Sequence, residues 1–135
     1  MRPLFADAFY FVAILDPRDE DHLSAKRFPL GRAPAITSDL VLTEVLNYLS
    51  AGRKRNVAAE AATAWVTSTG GIKVIHHDKE MYLAAIRFYQ RRPDKAWSLT
   101  DCASFLIMDR LRIQEALTAD HHFEQAGYTA LFKQQ

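Results

Sequence analysis

The sequence predicts an α/β fold: a three-layer α/β/α sandwich around a central, mostly parallel sheet of four to five strands. Two observations carry that reading. Short apolar runs of strand length alternate with segments of helical periodicity along the whole chain, joined by short turns. Two of these runs, Leu4-Phe5-Ala6-Asp7 and Glu115-Ala116-Leu117-Thr118-Ala119-Asp120, stop at an aspartate. The exit of a buried parallel strand is where open α/β sheets collect their ligands.

Taken in order, the first strand Leu4–Asp7 leads into a helix over Ala8–Leu15 that is apolar nearly all round. Asp16-Pro17 ends it, and a more polar helix runs from about Asp19 to Leu30, with Leu23 and Phe28 facing inward and Gly31 as its stop. Ala35-Ile36-Thr37 is the second strand. Ser38-Asp39 caps a helix carrying Leu40, Val41, Val45, Leu46 and Leu49, which ends before Gly52 and the basic run Arg53-Lys54-Arg55. Asn56 is the expected cap of the next helix, whose apolar residues recur at four-residue steps as Val57/Ala61/Trp65 and Ala58/Ala62/Val66. Gly70-Gly71 breaks it, and Ile72–Ile75 is a third strand. Asp78 caps a helix with Met81, Tyr82, Ala85, Phe88 and Tyr89 on one side. Ser98 stands three residues before Asp101, the spacing of a capping box. The helix it opens buries Leu99, Cys102, Ala103, Phe105, Leu106 and Ile107. After a turn at Arg112 comes the fourth strand, ending at Asp120; a short helical turn with Phe123, a stop at Gly127 and a last strand over Tyr128–Leu131 complete the chain.

Bulk properties place all of this in one domain, residues 1–135. The chain is 49% hydrophobic and 24% charged, enough to bury a core without staples. A single cysteine, Cys102, excludes an intramolecular disulfide and suits a reducing compartment. The start Met-Arg-Pro, with an acid at position 7, lacks signal-peptide architecture, and no apolar run nears the roughly 20 residues that span a bilayer. A cytoplasmic protein without a membrane partner is expected. A net charge of +1 leaves nucleic-acid binding to local basic patches.

Acids stand at matching junctions. Asp7 and Asp120 end strands, Asp101 opens the helix before the fourth strand, and Glu44 lies mid-helix between Leu42 and Val45. Each has a second explanation: Asp7 and Asp120 as helix caps, Asp101 as the third residue of a capping box, and Glu44 as part of a solvated face. In a parallel sheet, however, the strand ends and the helix starts that follow them point to one edge, so the set is more informative than its members.

With their local sequences, FADAFYFVAILD, ITSDLVLTEVLNYL, SLTDCASFLIM and ALTADHHFEQAGY, these residues resemble the PIN-domain nucleases, especially the small VapC-type toxins of bacterial toxin–antitoxin pairs. The resemblance spans essentially the whole chain. It implies that Asp7, Glu44, Asp101 and Asp120 bind divalent metal for RNA cleavage, leaving a 5′-phosphate and a 3′-hydroxyl. Asp7, Asp101 and Asp120 would contact metal directly or through water, and Glu44 would contact it or orient a bound water. Thr118 would assist beside the last aspartate. The resemblance also implies a cognate antitoxin covering the cleft and a homodimer. One departure is Phe9, where many members carry a hydroxyl residue.

The chemistry suits the set. Mg²⁺ and Mn²⁺ are hard ions that take oxygen ligands, and a bound ion acidifies water and stabilises charge on phosphate. Carboxylates converging in one cleft also repel one another, so one is expected to keep its proton near neutrality. The pairs His76-His77 and His121-His122 lack the i, i+4 spacing of helical metal ligands; His121 and His122 follow Asp120 toward any bound phosphate, but exposure or loose packing is the expectation for these two. Arg53, Lys54 and Arg55 either guide an RNA backbone or answer the helix macrodipole. Two other classes remain: a phosphatase with Asp7 as nucleophile, disfavoured by Phe9 where a second acid would stand, and a catalytically silent PIN-like module that binds RNA or protein.

Overall fold

The computed structural model describes residues 2–30, 34–67 and 71–133. Its strands are β1 (Leu4–Ala6), β2 (Ala35–Ser38), β3 (Ile72–Ile75), β4 (Glu115–Leu117) and β5 (Thr129–Ala130). Its helices are α1 (Ala8–Leu15), α2 (His22–Arg27), α3 (Asp39–Tyr48), α4 (Lys54–Thr67), α5 (Lys79–Arg91), α6 (Leu99–Leu111) and α7 (His121–Gln125). The five strands form one parallel sheet in the order β3-β2-β1-β4-β5, flanked by helices. Gly31 and Gly70 lie outside the described residues.

The strand order decides where the site sits. β1 is central, hydrogen-bonded to β2 on one side and to β4 on the other, with Ala6 opposite Leu117. The residues that leave β1 and β4, Asp7 and Thr118–Asp120, therefore emerge side by side. Thr37 donates from Oγ1 to the Ala6 carbonyl at 2.8 Å, pinning β2 to the last residue of β1. β1 and β2 are buried along their whole length because both sheet faces are covered there, as in parallel sheets generally.

Beneath the strand exits, aromatic rings pack in sequence from Phe88 through Trp97, Phe105 and Phe123 to Phe5, with centroids 5.0 to 6.4 Å apart. Tilted and edge-on contacts of this kind add to simple area burial. Phe5 and Phe123 are completely buried, so α7, although only one turn long, is anchored rather than loose.

The elements follow the sequence with identifiable exceptions. Asp7 lies outside β1 as the N-cap of α1, and β4 stops at Leu117, three residues short of Asp120. α2 is shorter than the expected Asp19–Leu30, because Asp19 accepts the Asp21 N–H at 2.8 Å in a turn of its own. Leu23, expected inside, is exposed. α4 begins at Lys54, so Asn56 is an interior residue rather than a cap; Ala58 and Ala62 are its buried face, whereas Val57 and Val66 are exposed. On α5 the inward side is Ala85, with Met81 and Phe88 partly buried; Tyr82 and Tyr89 face outward. Arg112 ends α6 in the left-handed region (φ 57°), the turn expected there.

Candidate active site

Asp7 occupies the N-cap position of α1 yet makes no side-chain capping bond, which leaves its carboxylate available for other contacts. It is buried at the end of the central strand. Burial pushes its pKa up to about 7, helped by the charges of Asp101 and Glu44; the Ala8 N–H and the Thr118 hydroxyl pull partly the other way. Thr118 donates from Oγ1 to Asp7 Oδ2 at 3.0 Å, and Thr118 Oγ1 accepts the Asp120 N–H at 3.1 Å. One buried threonine thus couples the acids at the exits of β1 and β4.

Asp101 and Asp120 are caps as well as cleft residues. Ser98 Oγ accepts the Asp101 N–H at 3.0 Å, and Asp101 Oδ2 accepts the Ser98 N–H at 3.1 Å, a complete capping box. Ser98→Ala removes the half of the box supplied by the hydroxyl and is expected to cost about 1 kcal/mol. Urea denaturation checks this, and an unchanged midpoint would show the box to be idle. Asp120 caps α7, with Oδ1 accepting the His122 N–H at 2.9 Å. The capping and site readings of these acids are therefore compatible: the caps fix the carboxylates where the cleft needs them.

His122 corrects the expectation of loose packing. Its side chain is largely buried, with Nδ1 3.0 Å from Asp101 Oδ2 and 3.6 Å from Asp120 Oδ1. In the tautomer that carries a proton on Nδ1, it donates to Asp101. His77 is also tightly held, with Nδ1 2.6 Å from Asp39 Oδ1 and its N–H on Asp39 Oδ2. His76 and His121 are the exposed members of the two pairs. Asp120, His121 and His122 offer ligand atoms within 4.8 Å of one another. The helical-spacing rule missed this because the three residues are consecutive, at the cap and first turn of α7.

Glu44, half-buried on α3, faces the same cleft. Burial raises its pKa, the Thr100 hydroxyl beside it opposes the shift, and Asp101 and Asp120 add to it. The cleft, of about 490 Å³, is lined by Asp7, Glu44, Asp101, Asp120, Ser98 and His122 among others. All four acids singled out in the sequence are thus brought together. Among the described residues, no lysine or arginine pairs with any of them. An oxygen-rich, acidic donor set free of lysine and arginine partners suits a hard divalent cation.

Phe9 also lines the cleft, its ring 5.6 Å from that of Phe132. The hydroxyl that reaches Asp7 comes from Thr118 instead. Arg53, Lys54 and Arg55 lie at the start of α4 and do not line the cleft; Arg55 donates to the Ser50 carbonyl at 3.0 Å.

Comparison with known proteins decides the family, since the PIN domain profile matches residues 4–127. The chain belongs to the PIN domain family. This PIN domain is 28% identical over 126 residues to the 23S rRNA-specific endonuclease VapC20 of Mycobacterium tuberculosis, covering 93% of this chain and 95% of VapC20. The crystal structure of VapC20, a Sarcin-Ricin loop cleaving toxin, superposes with a TM-score of 0.84, covering 95% of this chain and 98% of the other. FitAcB from Neisseria gonorrhoeae, at 16% identity, shares the fold with a TM-score of 0.62 over 94% of this PIN domain and 95% of its own chain. No helix among the described residues is long and apolar enough to cross a membrane.

Proposed function

We propose that this PIN domain is a divalent-metal-dependent endoribonuclease, the toxin of a toxin–antitoxin pair, with Asp7, Glu44, Asp101 and Asp120 as its Mg²⁺- or Mn²⁺-binding and catalytic residues. The observation that carries the reading is the convergence of four carboxylates in one cleft with no lysine or arginine among the described residues paired to them. Likeness to VapC20 over nearly the whole chain supports RNA as the substrate class.

When bound, the metal would supply an acidified water and stabilise charge developing on the phosphate. Asp7, Asp101 and Asp120 would hold it. Thr118 keeps the Asp7 carboxylate oriented, and the capping box of α6 does the same for Asp101. Glu44, on α3, would contact it or orient a bound water. His122, with its proton on Nδ1, would donate to Asp101 and keep that carboxylate turned into the cleft. Arg53, Lys54 and Arg55 act, if at all, by long-range attraction of the RNA backbone.

Two partners complete the proposal. A cognate antitoxin would cover the acidic cleft with an arginine or lysine in place of metal. A second copy of this chain would bury the exposed apolar residues Tyr82, Ile86 and Tyr89, spaced as one stripe along α5. A cytoplasmic site of action follows from an RNA target.

The test is an RNA cleavage assay with Mn²⁺ and with EDTA. Cleavage that requires Mn²⁺ and leaves 5′-phosphate ends is expected. Cleavage that survives EDTA and leaves 2′,3′-cyclic phosphates would contradict the reading, because it needs no metal-activated water.

A further inference from the structure

A second cavity, of about 590 Å³, opens beside the acidic cleft, and Phe9 and Glu44 line both spaces. The two therefore adjoin across these side chains. Its walls are apolar, with Phe9, Val12 and Tyr48, and its polar edge is Asp19 and Asn47 together with Glu44. Tyr48, the last residue of α3, is 73% exposed, so its ring is open to an incoming planar group. No described lysine or arginine lines this cavity, so it does not suit a phosphate.

A flat, neutral group with N–H donors fits these walls. Proteins read single-stranded RNA by splaying bases out, stacking them on aromatic rings and bonding their edges. Carboxylate oxygens accept from the exocyclic amino group of a base. Asp19 spends one oxygen on the Asp21 N–H, which leaves its other oxygen, and the amide oxygen of Asn47, as acceptors.

Resting on the ribonuclease reading, we propose that this pocket holds the nucleobase next to the scissile phosphate, stacked on Tyr48, and favours a base with an exocyclic amino group over uracil. The chain would then choose its cleavage position partly by which neighbouring base can leave the stack and enter.

The experiment compares a short RNA that the wild type cuts with copies made abasic on either side of the cut. For the wild type, kcat/KM is expected to fall about tenfold on one of the abasic copies, the loss of one base–aromatic stack. Uracil at that position should also be cut more slowly than cytosine or adenine. Tyr48→Ala should lose about tenfold on the intact RNA and nothing further on the abasic copy, because both changes remove the same contact. Tyr48→Phe should restore the rate, and the Mn²⁺-induced melting shift should be the same in all three proteins, since Tyr48 holds no metal. Tyr48→Ala that cuts intact RNA at the wild-type rate would overturn the proposal and leave a protein side chain as the pocket's occupant. A wild type that cuts no RNA would instead bring down the ribonuclease reading.

Discussion

Asp101→Asn is expected to reduce RNA cleavage by about two orders of magnitude or more while leaving the metal-free protein as stable as the wild type or more so. The two halves of that result come from different roles of one side chain. Asparagine caps helices about as well as aspartate, and its amide oxygen can still accept the Ser98 N–H. Removing the negative charge also relieves Asp7 and Glu44, both of which feel Asp101 as a repulsive neighbour. The lost charge is missed only when a cation is to be held. The stabilisation conferred by Mn²⁺ should therefore shrink in the mutant, because a ligand stabilises only through its affinity for the folded state. Melting curves with and without Mn²⁺, beside one cleavage assay, read all three effects. A mutant that retains both its activity and its metal-induced shift would remove Asp101 from the site.

Asp7→Asn should make the metal-free protein more stable at alkaline pH and change little in acid. The sign follows from the raised pKa. Between the ordinary value of 3.8 and about 7, the folded protein holds a proton on Asp7 that the unfolded chain has released. Stability from this group is fully present below pH 3.8 and is lost as pH rises to about 7. At 1.36 kcal/mol per pKa unit, the difference amounts to about 4 kcal/mol above pH 7. Asparagine has no proton to lose, and its amide oxygen can accept from Thr118 as the carboxylate does. Urea denaturation from pH 4 to 8.5 should show the wild type falling away from the mutant. Parallel curves would mean that Asp7 ionises as an ordinary surface carboxylate. Metal reverses the handicap: a cation competes with the proton for Asp7, so Mn²⁺ should stabilise the wild type more at pH 8 than at pH 5.5.

The features legible in the sequence are those written locally. Ser98 and Asp101 announce their helix by spacing alone, and the apolar runs that end at Asp7 and Asp120 mark the two strand exits that the sheet order makes neighbours. Parallel β/α alternation then suffices to bring the acids to one edge. What escaped was set by contacts between distant segments. His122 looks like an ordinary polar residue until α7 folds back on α6 and brings it to Asp101, 21 positions earlier. Trp97 sits in the polar stretch Lys95–Ser98, yet it is buried under Arg92, with its Nε1–H on Gln125 Oε1 at 3.0 Å. Tyr82 and Tyr89 share a periodic stripe with the buried Ala85, and periodicity alone does not show where the edge of the buried face falls. The cavity walled by Phe9 and Tyr48 is likewise a product of α1 meeting α3 and has no local signature.

The claim on which the rest depends is that a divalent cation binds among Asp7, Glu44, Asp101 and Asp120. Paramagnetic broadening tests it residue by residue: an amide spectrum of the isotopically labelled protein is recorded as Mn²⁺ is added in small steps. The resonances of Ala8, Thr100, Cys102, Ala119 and His122, flanking the acids at the mouth of the sheet, should disappear first, and Mg²⁺ in excess should restore them. Broadening that begins elsewhere, for instance around the exposed carboxylates Asp78 and Asp94, with the cleft resonances unmoved, would contradict it.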